Sequence, residues 1–279
     1  MKPQRAGDYT PASLARSRAA FLELATRLGD LVDDLVVVGG LAPSLMIEQG
    51  RLPEDAARHV GTMDVDVGLA LGMLQRPRYE LLRSRLRAAG LEPDRNDRGH
   101  ITAQRWRVGD SGPTVDFLIA PPSTAVAPGS LQHLETNLAA VVTPGLDLAF
   151  RDCDVREISG PALTGGGATR TIRVCGPGAY IVLKALAFGN RGERKDAYDL
   201  YYVLRYFGAT QQEIVVRTRP LLLSQHAREA IRILRRDFAT MDAIGPSRVA
   251  AFIGGSEDLE TQADVAGLVE SFLHELGEA

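Results

Sequence analysis

Two aspartates in the stretch 63–67 carry the clearest chemical signal in this sequence. Asp64 and Asp66 alternate with apolar residues, and the period of two of a β-strand places both carboxylates on one face. Neighbouring like charges on an otherwise apolar strand repel each other unless a cation offsets them. Because Mg²⁺ prefers carboxylate oxygens, whereas zinc would need Cys or His ligands, the spacing predicts a Mg²⁺ site. The alternative is an exposed edge strand with two solvated aspartates.

A third carboxylate, Asp116, lies within the apolar run 115–119. A charge in such a strand is costly unless it is ligated or hydrogen-bonded. The alternating stretch 100–108 and the turn at 109–113 predict a hairpin that includes this strand. We therefore expect Asp116 to be the third acid of the same site.

A glycine pair is the next candidate. The β-branched run 35–38 predicts a buried strand that stops at Gly39 and Gly40, with a helix after it. Glycine lets a phosphate approach the backbone closely, and a helix N-terminus favours negative charge. This turn is thus a candidate seat for a triphosphate.

From Gly176 onwards the pattern becomes helical, and Pro177 can open a helix. Lys184 is the only charged residue among the apolar residues of that helix. It either extends to the surface along its apolar stem or faces a cleft as a point charge for phosphate. The next helix carries Asp196 and Asp199, and a helix dipole explains the second acid less well than the first.

The glycine pair, the element Thr62-x-Asp64-x-Asp66 and the later Asp116 together resemble the nucleotidyltransferase superfamily. A second set of residues narrows the resemblance to the AbiEii/MenT-type toxin nucleotidyltransferases, over residues 35–207. In chain order, this set is Lys184, Ala187, Arg191, Asp196, Asp199, Leu200 and Tyr201. One departure is Leu41, which stands where the family usually has a small hydroxyl residue; Ser44 is the nearest hydroxyl downstream.

The resemblance implies a fold of the α+β class. We expect a nucleotidyltransferase core over residues 1–175, built as a small mixed β-sheet with flanking helices and ending in a β-rich linker. A helical C-terminal lobe should follow over residues 176–279.

The resemblance also implies transfer of a nucleotidyl group from an NTP to a hydroxyl acceptor with Mg²⁺ as cofactor. It implies an RNA acceptor, the 3′ end of tRNA, whose extension would block aminoacylation, and a cognate antitoxin as protein partner. The expected metal ligands are Asp64, Asp66 and Asp116. The expected catalytic residues are these three with Lys184 and Asp196, and the expected nucleotide-binding residues are Gly39, Gly40, Thr62, Lys184 and Arg191. Arg191 and Asp199 can equally be a structural ion pair at the helix junction.

Bulk composition limits the classes of partner. The 279 residues include 32 basic and 35 acidic ones, a formal charge of −3, which argues against non-specific coating of nucleic acid. A local basic patch remains open, because Arg228, Arg232 and Arg236 recur every four residues on one helix face. We call these three residues the arginine stripe. Such a stripe is either a solvated surface or a set of phosphate contacts.

No run of residues approaches the length of a membrane-spanning helix, and residues 1–10 lack the apolar core of a signal peptide. We therefore expect a cytoplasmic protein without a membrane partner. Cys153 and Cys175 have no metal-ligand spacing and are expected to be buried free thiols.

Two other functions stay open at this stage. One is a small-molecule nucleotidyltransferase of the aminoglycoside-modifying type, which would need an acidic rather than a basic acceptor pocket. The other is a catalytically silent homologue that only binds nucleotide. The arginine stripe favours RNA over a small cationic acceptor.

Overall fold

The computed structural model describes residues 3–54, 56–70, 76–96, 98–109, 112–123, 126–135, 137–163, 165–255 and 258–277. Within them the strands are β1 (Leu35–Val38), β2 (Asp64–Leu69), β3 (Leu91–Arg95), β4 (Ile101–Val108), β5 (Thr114–Ile119), β6 (Leu131–Glu135), β7 (Leu138–Val142), β8 (Cys153–Pro161) and β9 (Gly167–Cys175). The helices are α1 (Pro11–Leu28), α2 (Ala42–Met46), α3 (Arg76–Ala88), α4 (Leu148–Arg151), α5 (Pro177–Arg191), α6 (Arg194–Tyr206), α7 (Gln212–Thr218), α8 (Gln225–Phe238), α9 (Ile244–Ile253) and α10 (Leu259–Leu276).

All nine described strands belong to one mixed sheet, in the order β3-β4-β5-β2-β1-β9-β8, with β7 also beside β5 and β6 beside β7. β2 is antiparallel to β1 and parallel to β5, so the sheet contains both kinds of pairing. This architecture confirms the α+β nucleotidyltransferase fold class. Because β2 lies between two strands, the alternative of an exposed edge strand for Asp64 and Asp66 is wrong.

Sequence explains the interior position of β1. Its four residues are all apolar and all buried, which is the composition of a strand covered on both faces. Fully burying each such side chain contributes about 1.5–3 kcal/mol. The same core contains the fully buried rings of Phe21, Trp106 and Phe117.

Cys153 and Cys175 face each other across the β8–β9 hairpin, and both are free thiols. Cys175 is buried as expected, whereas Cys153 is only half-buried. The expectation of burial was therefore wrong for Cys153. This residue is the first of β8, which lies at one end of the strand order.

The chain divides into two compact units. The sheet unit consists of residues 11–42 and 61–175, and the helical unit consists of residues 1–10, 43–60 and 176–279. The helical unit contains α5 to α10, which is the helical C-terminal part that the sequence predicts. Two segments from the first 60 residues belong to this unit as well.

Helix α5 begins and ends at residues that favour the termini of a helix. Pro177 occupies the first turn of α5, where its missing N–H costs nothing, and Gly192 ends the helix in a left-handed conformation. Tyr202 of α6 is fully buried in the unit's core, as are Tyr180 of α5 and Phe238 of α8. None of the helices described has the length and apolar character to cross a bilayer.

Candidate active site

Four side chains of the sheet unit come together on neighbouring strands: Asp64, Asp66, Asp116 and Arg105. We call them the acid cluster. Asp66 on β2 is in register with Asp116 on β5, and Asp116 is in register with Arg105 on β4. Residues in register on adjacent strands extend to the same face of a sheet, so the predicted third acid lies beside the first two.

Asp116 is bonded to Arg105 through both carboxylate oxygens. The guanidinium donates from Nε to Oδ1 at 2.7 Å and from Nη2 to Oδ2 at 2.5 Å, the two-pronged geometry of a strong charge-assisted pair. Arg105 Nη2 also lies 3.9 Å from Asp64 Oδ2. Burial raises the pKa of Asp116 above its usual range, although the Arg105 guanidinium acts against this rise.

Thr62 orients Asp64. Its hydroxyl donates to Asp64 Oδ1 at 2.7 Å, and its own carbonyl accepts a hydrogen bond from the hydroxyl of Ser17 on α1. The Thr62 side chain was predicted to bind nucleotide, and in the structure it is a buried support for the acid two residues later.

Gly39 lies against Asp66. A Cβ on residue 39 would fall 1.8 Å from Asp66 Oδ2, and the backbone φ of +63° is in the left-handed region. Only glycine fits this position without displacing the acid. Glycine is therefore required at residue 39 for a structural reason that does not depend on phosphate binding. The helix expected after the glycine pair is α2, which has only five residues and therefore supplies a weak dipole.

The donor set of the acid cluster suits a hard divalent cation in part. Asp64 and Asp66 supply carboxylate oxygens from one face, and Mg²⁺ is commonly held by one or two carboxylates together with water and substrate phosphates. Both oxygens of Asp116 accept from Arg105. The part of the chain that the structure describes contains no group of three or more His, Cys, Asp or Glu side chains placed to hold a metal ion.

A second group of charged residues lies in the helical unit. We call it the lysine cluster; its members are His59, Lys184, Arg191, Lys195, Asp196 and Asp199. Lys184 on α5 donates to Asp196 Oδ1 on α6 at 3.0 Å. Its Nζ is also 2.8 Å from Asp199 Oδ2, an ion pair at contact distance, although no well-aligned hydrogen bond from the described residues reaches that oxygen.

The surface alternative for Lys184 is wrong, because its side chain is only 10% exposed. Burial acts to lower the pKa of Lys184, but Asp199 and Asp196 outweigh burial and raise it. The lysine is therefore charged, and its charge is directed at two carboxylates. Three basic side chains and two carboxylates meet in the lysine cluster, and burial lowers the pKa of one of the three, Lys195.

Arg191 binds Asp196, through Nε to Oδ2 at 2.6 Å and Nη2 to Oδ1 at 2.8 Å. Burial acts to raise the pKa of Asp196, but Lys184 and Arg191 together lower it. The predicted residues Lys184, Arg191 and Asp196 are thus in direct contact. An ion pair between Arg191 and Asp199 was the structural alternative. In the structure, the carboxylate that Arg191 binds is that of Asp196.

Asp199 is fully buried among three partners. His59 Nε2 lies 2.9 Å from Asp199 Oδ1, and Lys195 pairs with the same oxygen. Burial acts to raise the pKa of Asp199, but Lys184 and Lys195 hold it well below its usual range. Burial and the charge of Lys195 lower the pKa of His59 to about 4, so His59 is neutral near pH 7 and donates to the carboxylate. These contacts explain the acid that the helix dipole left unexplained.

Three residues of these clusters, Arg105, His59 and Lys195, were not predicted. The signal for Arg105 was present, because pairing 100–108 with 114–120 across the turn places it opposite Asp116. His59 gave no local signal. Its partner is 140 positions away, and nothing in the composition of 43–60 indicates that this segment packs with α6.

The arginine stripe lies on the exposed face of α8, in the helical unit. Arg228 donates to the carbonyls of Leu222 and Leu223, Arg232 pairs with Glu229, and Arg236 pairs with Asp237. A cavity of about 120 Å³ lies beside the stripe. It is lined by Leu222, Arg228, Ile231, Arg232 and Arg235.

Residues 24–271 match the model of a protein family described as Nucleotidyl transferase AbiEii toxin, Type IV TA system. The match includes every residue of the acid cluster and of the lysine cluster. No curated protein matches the chain.

Proposed function

The chain belongs to the AbiEii family of nucleotidyltransferase toxins of type IV toxin–antitoxin systems, and on this basis we propose that it transfers a nucleotidyl group from an NTP to the 3′-terminal hydroxyl of tRNA with Mg²⁺. Pyrophosphate is the other product. Extension of the 3′ end would block aminoacylation and so stop translation. A cognate antitoxin is the protein partner that membership of the family implies.

One observation carries the proposal. Two carboxylates extend from the same face of an interior strand, and a third lies in register beside them on the next strand. Acids this close repel one another, which destabilises the fold unless a cation offsets them. Carboxylates so placed can hold the metal ion of metal-assisted phosphoryl chemistry.

In the proposed mechanism, Asp64 and Asp66 hold Mg²⁺, which when bound neutralises phosphate charge and lowers the pKa of a hydroxyl. Thr62 keeps the Asp64 carboxylate in one orientation through its 2.7 Å hydrogen bond. Asp116 either completes the metal site or takes up the proton of the attacking hydroxyl as a base. Burial raises the pKa of Asp116, which is the direction that the second role requires, and Arg105 acts against it.

The lysine cluster supplies positive charge in this proposal. Lys184 neutralises part of the triphosphate charge, and Asp196 positions both Lys184 and Arg191 through the bonds described above. Lys184 is already paired with two carboxylates. The attraction that it exerts on phosphate is therefore set by the net charge of the whole lysine cluster and not by one lysine alone. Of the predicted phosphate-binding pair, Gly39 is half-buried and Gly40 is buried, so the proposed backbone contact with phosphate is assigned to Gly39.

The arginine stripe supports an RNA acceptor. Its side chains are exposed on one helix face, and their planar guanidinium groups suit phosphate oxygens. Glu229 and Asp237 offset part of this charge, so the stripe is a modest rather than a strong attractor.

The test is to incubate the purified protein with each of the four labelled NTPs, Mg²⁺ and tRNA, and in parallel with total RNA. We expect label at the 3′ end of tRNA with the parent protein and none with Asp66→Asn, which keeps the shape of the side chain. Label on another RNA or on a small molecule would show that the acceptor is that molecule and not tRNA. Absence of label with every NTP and acceptor would contradict the proposed transfer.

A further inference from the structure

Arg105 stands out because it places a cation inside the acid cluster. Its two hydrogen bonds take up both oxygens of Asp116, and its Nη2 is 3.9 Å from Asp64 as well. The negative charge of Asp116 is therefore offset by the chain itself. This is the role that a metal ion would otherwise have.

We propose that Arg105 is a resident counter-cation that exchanges with a divalent metal ion at Asp116. The inference rests on the proposed function in that it assigns the metal to the acid cluster. Each oxygen of Asp116 keeps a second lone pair, but a divalent ion on the same carboxylate would lie next to the guanidinium. Two cations at such a distance repel each other strongly where water is scarce.

The burial of the two partners favours movement of the arginine. The Arg105 side chain is 40% exposed, whereas that of Asp116 is 11% exposed. The guanidinium can rehydrate by turning outward along its flexible stem, while the carboxylate stays within β5. Asp116 is thus a fixed site for which two cations compete.

The same strand contains an internal comparison. Arg107, two residues after Arg105 and on the same face of β4, makes an equivalent two-pronged pair with Asp94 on β3. Its exposure is similar, 33% for the arginine and 12% for the aspartate. The described partner of Arg107 is not a member of the acid cluster, so only the Arg105 pair is expected to respond to a metal ion.

The experiment measures Mn²⁺ binding by electron paramagnetic resonance of the free ion, without NTP. Arg105→Met keeps the stem but removes the charge, and we expect its Kd for Mn²⁺ to be at least tenfold lower than that of the parent. Mn²⁺ should also raise the melting temperature of Arg105→Met more than that of the parent, since only the variant has an unpaired Asp116 for the ion. Arg105→Lys, which keeps charge but loses the fork, should fall between them.

Three controls assign the effect. Arg107→Met should bind Mn²⁺ with the affinity of the parent. Adding Asp116→Asn to Arg105→Met should remove the gain in affinity, and Asp64→Asn should weaken binding in every background. If Arg105→Met folds poorly, the comparison of Arg105→Lys with the parent decides.

Equal or weaker Mn²⁺ binding in Arg105→Met, or in Arg105→Lys if that variant decides, would overturn the exchange. The proposed transfer would still stand in that case, provided that Asp64→Asn weakens Mn²⁺ binding in the parent. If none of these proteins, including the parent, binds Mn²⁺, both proposals are overturned. Transfer of label to tRNA is measured separately, so the two proposals can fail independently.

Discussion

The contact between Gly39 and Asp66 ties the conformation of a turn to the position of an acid. Alanine at residue 39 would have to adopt a positive φ and would also push the Asp66 carboxylate away. The turn and the acid are therefore one structural requirement, and a change at either residue is felt at the other.

Gly39→Ala is expected to lower the free energy of unfolding by at least about 1–2 kcal/mol, the cost of a left-handed non-glycine residue, and to reduce transfer strongly because Asp66 is displaced. Gly90→Ala is the matched control. Its φ is +75° and a Cβ there meets nothing within 4 Å, so it should show the stability loss without the loss of transfer. Urea unfolding and the labelled-NTP assay measure the two effects. Equal transfer in the two variants would contradict the argument.

His59 makes stability depend on pH in a definite direction. Its pKa of about 4 in the folded protein is below its ordinary 6.5, so between these values the unfolded chain takes up a proton that the folded protein does not. The stability that the protein has with neutral His59 is therefore fully present above pH 6.5 and is lost as the pH falls towards 4. A shift of this size corresponds to about 3 kcal/mol.

His59→Gln keeps an N–H donor for Asp199 but has no titrating group. We expect its free energy of unfolding to decline less than that of the parent between pH 6.5 and 4.5, measured by urea unfolding at fixed ionic strength. The groups that face His59 are Asp199, Lys195, Lys184, Tyr198 and Tyr202. The pKa of Asp199 is lowered, so it stays ionised in the folded protein over this range. Parallel curves for parent and variant would refute the assignment.

At the scale of elements, the lysine cluster connects α5 to α6. Lys184 extends from α5 to two buried carboxylates of α6, so the cluster fixes how these two helices pack as well as where its charges lie. A lysine that extends to the surface could be lost with little effect on folding. The burial of Lys184 between two acids excludes this for the present chain.

Lys184→Met should lower the free energy of unfolding by about 3–5 kcal/mol, because it removes a buried cation that contacts one carboxylate oxygen of Asp196 and one of Asp199. Arg191→Met is the comparison variant, since its side chain is 52% exposed and Asp196 keeps Lys184. We expect a clearly smaller loss for Arg191→Met in urea unfolding at pH 7.5. Equal losses would show that Lys184 contributes no more than an exposed partner.

Local pattern predicted the elements that short-range periodicity determines. The strand 35–38, the two acids on one face and the helix from Pro177 all follow from residues within one turn or one strand of each other. The β6–β7 hairpin was missed, because two strands of five residues carry no clear alternation. Arg105 required the register of β4 on β5, and His59 required a tertiary contact that no local rule contains. Arg105 and His59 were thus missed because pairing between elements defines their contacts.

At the scale of the whole molecule, the net charge of −3 opposes binding of a polyanion, so local charge must attract any RNA. If the acceptor is RNA, replacing Arg228, Arg232 and Arg236 with Ala should weaken its affinity. The slope of log K against log salt should shrink by about one unit for each arginine that contacts phosphate. Filter binding with tRNA at several salt concentrations measures both quantities.

The Arg83→Ala/Arg87→Ala variant is the control for this test, since it removes exposed or half-buried arginines from α3 in the sheet unit. It should leave tRNA affinity and salt slope nearly unchanged. The reverse result, a loss only in the α3 variant, would move the RNA contact to α3.

The helical unit consists of residues 1–10, 43–60 and 176–279. During synthesis, its first two segments are therefore made long before the third segment with which they pack. His59 leaves the ribosome long before Asp199 exists, and the hydroxyl of Tyr202 reaches back to the carbonyl of Ala57 across 145 positions. A nascent chain that has completed the strands of the sheet therefore still lacks α5, α6 and every member of the lysine cluster except His59. For a toxin made by the machinery that it is proposed to stop, the cluster cannot form until translation of residue 199 is finished.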